Sequence, residues 1–278
     1  MVQDAAARPQ LRAVNGWEAD FLWDEVPSYL DHGIRLAPGA TVLDVGANIG
    51  VFSAYVWQRL GGDVRILAFE PVPPIHALLA RNAAEVLGDR VTPLPYGLSA
   101  ADGEIEITYF PGATLLSSSR RGAGNLEQEQ ERAAAALFEG IKEDGARRHP
   151  VLRRMPGFVL RPLIRAGMRR LRSMETYRVQ VRSLSRVLQD LSVDHVDLLK
   201  IDVEGAEFDV LAGIDDADWP RIRQVVIEVE RWGAHEPAIR DILAGRGFAV
   251  HAERASVAGD IGLVYGMRDS GSGDRASA

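Results

Sequence analysis

A short stretch of the chain combines a carboxylate, two glycines and an asparagine in a spacing that suits a small polar ligand. Asp44 ends an apolar run, and Gly46 and Gly50 enclose Ala47 and Asn48 before a second apolar run begins. A strand that passes through a glycine turn into a helix places backbone N–H groups and a carboxylate around such a ligand. Glycine would also let the backbone approach the ligand where a Cβ would collide. These five residues are therefore predicted to bind a cofactor.

The spacing within this stretch distinguishes between two kinds of cofactor. A dinucleotide-binding loop has the pattern G-x-G-x-x-G, whereas this chain has D-x-G-x-x-x-G and lacks the middle glycine. The carboxylate of Asp44 would repel a pyrophosphate, but it suits a ligand with an amino group and a sulfonium. The pattern favours S-adenosyl-L-methionine over a nicotinamide dinucleotide, and an ordinary strand-to-helix turn is the alternative.

Further polar residues follow later strands, and ligands of an open parallel sheet bind beyond the carboxyl ends of its strands. Glu70, followed by Pro71, ends the second predicted strand. A carboxylate there can accept hydrogen bonds from both hydroxyls of a ribose. Leu98 and Ser99 follow the third strand, beside the position expected for an adenine.

The segment Lys200–Gly205 ends another apolar strand and supplies candidate catalytic groups. Transfer of a methyl group to oxygen needs an in-line nucleophile and a proton acceptor. Asp202 is expected to face the cofactor amine or the acceptor. Glu204 is a candidate base or a partner of loop N–H groups, or else only stabilises the Gly205 turn. Lys200 either orients an acid or a substrate, or forms a structural ion pair.

A histidine and a metal ion are two further options. His235 follows a short loop and is a candidate general base, with a position at the start of a helix as the alternative. Glu228 and Glu230 share a face of one strand, so together with Asp202 they offer oxygen ligands to a divalent cation. No metal is expected, because no spacing here is diagnostic. The five remaining histidines show no cluster: His32, His76, His149, His195 and His251.

These residues require a sheet that brings several strand ends together. Strands and helices alternate with short connections, which predicts a mainly parallel sheet covered on both faces. The predicted strands are 41–44, 64–69, 90–94, 104–110, 177–181, 196–203 and 224–230, followed by an antiparallel pair at 248–253 and 261–266. Helices are predicted over 15–30 (interrupted by Pro27), 73–87, 184–191, 206–212 and 235–246, and after residue 50.

The chain divides into four predicted parts. Residues 1–36 form an N-terminal helical cap, whose aromatic side chains either pack or close over a substrate. Residues 37–111 and 177–268 form the cofactor-binding core, and residues 112–176 form an inserted helical lid. Residues 269–278 read DSGSGDRASA and are predicted to be a disordered tail.

The predicted lid is rich in arginine. Ten arginines and one acid, Glu175, lie between residues 147 and 178. Three interpretations remain open: a solvated lid, a surface for an anionic substrate such as the phosphopantetheine arm of an acidic carrier protein, or a contact with RNA. The last is disfavoured because only Phe158 and Tyr177 are available for stacking.

Composition excludes several classes of protein. The 278 residues are 46% hydrophobic and 26% charged, and the net charge of −7 argues against nucleic acid as the main partner. The absence of cysteine excludes disulfides and thiolate catalysis. The sequence shows no signal peptide and no apolar run long enough for a membrane span, so a cytoplasmic location is expected.

Several motifs, in this order, resemble the FkbM family of S-adenosylmethionine-dependent methyltransferases. They are VLDVGANIG at 42–50, FEPVPP at 69–74, YGLS at 96–99, LLKIDVEGAEFDVLAGI at 198–214 and WPRIRQVVIEVE at 219–230. Residues 18–34 also resemble members from polyketide and peptide biosynthetic clusters. The resemblance spans about residues 15–265 and is weakest in the arginine-rich insert.

The resemblance implies an α/β fold of class I methyltransferases, with a Rossmann-like mixed seven-stranded sheet, helices on both faces and a helical insertion. It also implies roles for residues. Gly46, Ala47, Asn48 and Gly50 would hold the methionine part of the cofactor, Glu70 the ribose, and Leu98 and Ser99 the adenine, while Asp202 and Glu204 would face the reacting centre.

The activity expected from the resemblance is O-methylation of a hydroxyl on a small-molecule or carrier-bound intermediate of natural product biosynthesis. Methylation of nitrogen, carbon or a sugar hydroxyl is an alternative on the same scaffold. Further alternatives are methylation of RNA and a non-catalytic module that binds S-adenosylmethionine. The sequence leaves formation of a homo-oligomer open.

Overall fold

The computed structural model describes residues 8–14, 16–109, 111, 175–254 and 260–268. The predicted tail lies outside these residues, and so does the predicted lid apart from 175–176 at its C-terminal border. The division into four parts therefore remains a prediction. Among the described helices, none combines the length and the apolar composition that a membrane span needs.

Ten strands and six α-helices are described. The strands are β1 (Ala40–Val45), β2 (Val64–Phe69), β3 (Val91–Leu94), β4 (Gly97–Leu98), β5 (Gly103–Tyr109), β6 (Glu175–Arg182), β7 (Leu198–Ile201), β8 (Gln224–Glu230), β9 (Ala249–Arg254) and β10 (Ile261–Met267). The helices are α1 (Gly16–Glu25), α2 (Val51–Arg59), α3 (Pro73–Asn82), α4 (Leu184–Asp190), α5 (Glu207–Ala212) and α6 (Trp232–Gly245).

Seven strands form the main sheet, in the order β3-β2-β1-β7-β8-β10-β9. Neighbours from β3 to β8 are parallel, whereas β10 is antiparallel to both β8 and β9. The predicted mixed seven-stranded sheet and its antiparallel final pair are confirmed. Because β2, β1, β7 and β8 are parallel neighbours, the residues that follow them lie at one edge of the sheet.

Side chains alternate between two apolar clusters, one on each face of the sheet. Val42 and Ile66 pack with α2 and α3, whereas Leu43 and Leu67 pack with α4, α5 and α6. This alternation follows from the two-residue period of a strand. The prediction that helices cover both faces is confirmed.

Two of the strands predicted for the main sheet belong to a second, smaller one. Strands β5 and β6 pair antiparallel, and the short β4 pairs parallel to β6. Both β5 and β6 begin with exposed residues; β5 buries its last three residues, whereas β6 buries the alternate residues Val179 and Val181. A half-exposed strand suits a sheet with one face in solvent, so the sequence predicted the strands but not their partners.

The N-terminal cap consists here of α1 and the 3₁₀ turn Val26–Leu30 that follows it. Pro27 lies at the start of the turn, where the missing N–H costs least. The ring of Tyr29 packs edge-on against Phe52 of α2, with ring centres 5.7 Å apart. The hydroxyl of Tyr265 donates to the carbonyl of Ser28 at 2.9 Å. These contacts fix the cap beside the strand ends of the main sheet.

Candidate active site

The glycine loop after β1 is tightly packed against the rest of the protein. Gly46 and Gly50 have φ angles of +74° and +91°. A Cβ at Gly46 would lie 1.7 Å from the backbone oxygen of Asp202, and one at Gly50 would lie 2.8 Å from Leu79 Cδ1. The sequence analysis attributed these glycines to a close approach of ligand. That reason needs correcting, because the space is taken by the backbone that follows β7 and by α3.

Glu70 holds the glycine loop to the end of β2. One carboxylate oxygen accepts the Val72 N–H at 2.8 Å, and the other accepts the Asn48 N–H at 3.1 Å. Burial raises the pKa of Glu70 to about 7, although both N–H groups and Lys200 act in the opposite direction. Each oxygen keeps a further acceptor direction, so the predicted role toward two ribose hydroxyls is chemically compatible with these bonds.

Asp44 and Lys200 form a buried ion pair beneath the loop. Lys200 Nζ lies 3.2 Å from Asp44 Oδ1 and 3.3 Å from Asp202 Oδ2, and it donates to the Gly46 carbonyl at 3.0 Å. Asp44 is fully buried and also accepts the hydroxyl of Ser53 at 2.7 Å. In this arrangement Asp44 contacts protein groups. Because its side chain is buried beneath the loop, it does not face a position where a ligand amine could bind directly.

Both roles predicted for Lys200, orienting an acid or substrate and forming a structural ion pair, need its charged form. Burial lowers the pKa of Lys200, but the charges of Asp202 and Asp44 outweigh burial, so the net pKa lies above the usual lysine value. A lysine that stays protonated cannot accept a proton. The structure therefore shows Lys200 as an ion-pair partner that positions Asp202, whose side chain remains 24% exposed.

The residues predicted to lie near adenine occupy the start of the small sheet. Leu98 is buried in the apolar cluster that contains α4. Ser99 donates its N–H to the carbonyl of Arg182 at 2.9 Å. Pro71 packs against Gly97, where a Cβ would lie 3.4 Å from the proline ring. Pro71 and β4 are thus brought together after β2, as the prediction requires.

Glu204 pairs with a carboxyl group from the neighbouring strand. It has a left-handed backbone, with φ +52°. The pKa of Glu204 lies well above its usual value. Burial is the largest cause, and a hydrogen bond to Glu230 and the charge of Asp202 raise the pKa further. The Gly205 N–H is bound by Glu207, at 2.7 Å from its carboxylate. The bond to the Gly205 N–H is thus made by Glu207, and the choice between a base and a turn-stabilising role for Glu204 stays a prediction.

Tyr29 and Glu228 complete the group of polar side chains at this edge. The hydroxyl of Tyr29 lies 2.5 Å from Glu228 Oε2 and 3.2 Å from Asp202 Oδ2. Burial raises the pKa of Tyr29 well above its usual value, and the charges of Asp202 and Glu228 add to this effect. Burial and the charge of Asp202 raise the pKa of Glu228 to about 8. A carboxyl with that pKa can exchange a proton near neutral pH.

Sequence reasoning missed Tyr29 and considered Glu228 only as a metal ligand. The available signal for Tyr29 was a hydroxyl within the otherwise apolar aromatic segment of the cap. Its contact with Glu228 depends on where the cap lies, which no local pattern encodes. Glu228 and Glu230 lie on either side of the buried Val229 at the end of β8, a pattern that also fits a solvated strand face.

His235 occupies the first turn of α6. Its N–H bonds the carbonyl of Arg231 at 3.0 Å, and its ring packs edge-on against Phe208 at 5.2 Å between centres. This placement agrees with the helix-start alternative in the sequence analysis.

The acids after β7 and β8 do not form a compact metal site. In the described part of the chain, Asp202, Glu228 and Glu230 do not bring three ligand atoms within 4.8 Å of one another, whereas His32, His251 and Glu253 do. The statement that the remaining histidines show no cluster is therefore wrong. The rings of His32 and His251 stack 3.9 Å apart, from positions too distant in sequence to predict a contact.

Of two concave regions on the described surface, one is lined by residues of the candidate site and the other is not. A cavity of about 30 Å³ lies between the cap and the loop, beside Tyr29, Asn48 and Asp202. An open groove of about 420 Å³ lies beside α4, lined by Ser185, Arg186 and other residues outside the candidate site. We assign the site to the smaller cavity, because the carboxylates, the lysine and the loop converge there.

A mixed seven-stranded sheet with a glycine loop after β1 and a carboxylate after β2 defines a methyltransferase of class I. Residues 44–250 match the methyltransferase FkbM domain. The chain belongs to the FkbM family of methyltransferases.

Three similar proteins illustrate the family. The 31-O-demethyl-FK506 methyltransferase FkbM of Streptomyces tacrolimicus is 36% identical, over 87% of this chain and 86% of its own. The methyltransferase sdnD of Sordaria araneosa is 32% identical, over 92% of both chains. The AMB antimetabolite synthetase AmbE of Pseudomonas aeruginosa is 35% identical over 89% of this chain, which spans only 11% of the length of AmbE.

Proposed function

We propose that this protein uses S-adenosyl-L-methionine to methylate a hydroxyl on a small-molecule or carrier-bound biosynthetic intermediate. The observation that carries the proposal is the convergence of Glu70, Asp202 and the Tyr29–Glu228 pair at the carboxyl ends of β2, β7 and β8. One end of this arrangement suits a ribose and the other suits a hydroxyl that must lose a proton.

The residues after β1 and β2 would hold the cofactor. Glu70 is fixed by two backbone N–H groups, and its remaining acceptor directions suit two hydroxyls. Asp202 is the partly exposed acid nearest the loop, so it suits the amine that Asp44 is too deeply buried to reach. When bound, the cofactor supplies an electrophilic methyl group on a positively charged sulfur.

Glu228 is the proton acceptor in this proposal. It takes the proton of the acceptor hydroxyl as the oxygen–carbon bond forms and the sulfur–carbon bond breaks, which leaves the electron pair on sulfur. A base is most effective when its pKa lies near the working pH, and that of Glu228 is about 8. Tyr29 orients the carboxylate, and the buried pair of Lys200 with Asp44 fixes Asp202 beside it.

The names of the relatives support a hydroxyl acceptor in biosynthesis. FkbM of Streptomyces tacrolimicus is described as a 31-O-demethyl-FK506 methyltransferase, and AmbE as an antimetabolite synthetase. The first name identifies methylation of oxygen on a natural product by a chain of similar length. This first description fits the proton acceptor that we assign to Glu228, whereas the name of AmbE supports only a place in biosynthesis.

Cofactor binding tests the first half of the proposal. Calorimetry should show S-adenosylmethionine binding to the wild type, and at least about tenfold weaker binding to Glu70→Ala because two hydrogen bonds to a charged group are lost. Glu104→Ala, which removes a half-exposed carboxylate on β5, is the matched control. Equal affinity in Glu70→Ala and wild type would contradict the assignment.

Product analysis tests the second half. Hydroxylated intermediates, free and loaded on carrier protein, would be incubated with methyl-labelled cofactor, and the methylated atom located by NMR. A methyl group on oxygen supports the proposal, whereas one on nitrogen or carbon contradicts it. Tight binding of cofactor without transfer to any acceptor would favour a non-catalytic module, and labelled RNA would favour RNA methylation.

A further inference from the structure

Three side chains that can bind metal meet at the outer edge of the main sheet, away from the candidate active site. His251 and Glu253 occupy alternate positions of β9, which is the edge strand, and so share one of its faces. His32 follows the N-terminal cap and holds a left-handed backbone with φ +50°. One ligand atom from each of the three lies within 4.8 Å of the others.

The three side chains already contact one another. His32 Nε2 lies 2.5 Å from Glu253 Oε2. The rings of His32 and His251 stack with centres 3.9 Å apart, and the ring of Tyr265 backs them, with its centre 4.8 Å from that of His32. The hydroxyl of the same Tyr265 is bonded to Ser28 in the cap. The cluster therefore sits on an ordered support that joins two parts of the fold.

We propose that His32, His251 and Glu253 bind a divalent transition-metal ion of the zinc class. Two imidazole nitrogens and one carboxylate oxygen are a donor set that zinc accepts, whereas magnesium and calcium prefer oxygen alone. Three protein ligands leave one tetrahedral position for water. None of the three residues takes part in the methyl-transfer arrangement around Tyr29, so this proposal stands independently of the proposed function.

Binding requires a small rearrangement that exposed side chains can make. The two imidazole planes are only 20° from parallel, and an ion must lie close to the plane of each ring that binds it. One ring must therefore turn about its outer torsion. With metal–ligand distances of about 2.0–2.2 Å, two tetrahedral ligand atoms lie about 3.4 Å apart. His32 Nε2 and Glu253 Oε2, which are now 2.5 Å apart, must therefore also separate slightly. The side chains of His32 and Glu253 are 30% and 60% exposed, which leaves room for this movement.

An ion at this position would connect the cap to the sheet. His32 lies three residues after Tyr29, and the other two ligands belong to β9. An ion that binds the folded state and not the unfolded state stabilises the folded state by mass action. The effect should appear first in the cap, whose described links to β9 and β10 include the His32–Glu253 contact and the Tyr265–Ser28 hydrogen bond.

The test is calorimetric titration of the full, tag-free chain with zinc chloride near neutral pH. Wild type should bind one zinc ion, and His251→Ala and Glu253→Gln should each bind it at least about tenfold more weakly. His195→Ala is the control, because His195 is 61% exposed and pairs with Asp197 elsewhere on the surface. No stoichiometric binding in wild type, or equal affinity in His251→Ala, would overturn the proposal.

Ring-proton NMR gives a readout that a change in folding would not mimic. Zinc should shift the signals of His32 and His251 together at one equivalent while that of His195 stays in place. Magnesium at the same concentration should leave all three unchanged. Coincident shifts of His195, or equal shifts with magnesium, would show non-specific binding and contradict the assignment of this donor set.

Discussion

The hydroxyl of Tyr29, in the N-terminal cap, lies 2.5 Å from a carboxylate oxygen of Glu228 on β8. A tyrosine hydroxyl has one hydrogen to donate, and Asp202 is a second candidate acceptor at 3.2 Å. The stronger contact therefore goes to Glu228. Through this pair, a segment at the start of the chain controls the geometry of the proton acceptor we propose.

Glu228→Gln should remove the proton acceptor while keeping the size of the side chain. We expect kcat to fall by about 10²–10⁴-fold, the usual contribution of a general base, with little change in cofactor affinity. In wild type, kcat should rise with pH through about 8, because the deprotonated form of Glu228 is the active one and its pKa is about 8. The pH–rate profile measures both.

Tyr29→Phe provides the matched comparison for this profile. The hydrogen bond from Tyr29 lowers the pKa of Glu228, so its loss should move the rising limb to higher pH while the ring still packs against Phe52. Glu104→Gln should change neither rate nor profile. An unchanged limb in Glu228→Gln would refute the role assigned to this residue.

The buried carboxyl groups also predict how stability depends on pH. The pKa values of Glu70, Glu207 and Glu228 rise to about 7, 7 and 8 in the folded protein, whereas in the unfolded chain they return to about 4.3. The unfolded state then releases these protons first as pH rises. The contribution of these three groups to the free energy of unfolding is therefore greatest below about pH 4.3. This contribution is lost progressively as the pH rises to about 8.

Urea denaturation between pH 5 and 8 measures this effect. The free energy of unfolding should decrease across the range in wild type, and the decrease should be smaller in Glu207→Gln, which removes one titrating group. A free energy of unfolding that increases across the range in wild type and is unaffected by Glu207→Gln would contradict the burial argument. Asp194→Asn, at a side chain that is 97% exposed, serves as the control.

Lys200→Met should destabilise the protein rather than remove a proton acceptor. It leaves Asp44 buried without its cation, and breaking a buried ion pair in this way costs about 3–5 kcal/mol. The double variant Lys200→Met, Asp44→Asn should recover part of the loss, because the fully buried position 44 no longer carries an unpaired charge, although the partly exposed Asp202 still lacks its cation. Thermal denaturation compares the three proteins. A Lys200→Met variant as stable as wild type would show that the ion pair contributes nothing to folding.

Gly46→Ala and Gly61→Ala separate backbone strain from collision. Both glycines have positive φ. A Cβ at Gly46 would lie 1.7 Å from the Asp202 carbonyl oxygen, whereas a Cβ at Gly61 would have no described atom within 4 Å. We expect Gly61→Ala to cost about 1–2 kcal/mol of stability, and Gly46→Ala to cost clearly more. Equal losses in chemical denaturation would mean that β7 moves aside without cost.

Much of the fold was predictable because its signals are local. The apolar strands, the glycine loop and the acids after strands gave the main sheet and the positions of Glu70 and Asp202. The partners of these residues were less accessible. Glu207 rather than Glu204 binds the Gly205 N–H, and this choice depends on backbone angles that the sequence does not display.

Contacts between distant segments account for the remaining differences. The sequence predicts that Asp44 binds the ligand, whereas in the structure Asp44 forms an ion pair with Lys200 of β7 beneath the loop. Tyr29 reaches Glu228 only because the cap packs on α2. The assignment of β5 and β6 to a separate sheet likewise depends on which strands pair. An alternating apolar pattern predicts a strand, but it does not predict the partner of that strand.

Three residues without the freedom of glycine adopt left-handed backbone around the candidate site. They are Asn48 after β1, Glu204 after β7 and Arg231 after β8, with φ angles of +49°, +52° and +49°. Each such residue raises the energy of the folded chain by about 1–2 kcal/mol. At Asn48 this cost is offset by the hydrogen bond that its side-chain Oδ1 accepts from the Ile49 N–H. The three strand ends are thus ordered during folding, so ligands meet a preorganised surface and lose less affinity to conformational entropy.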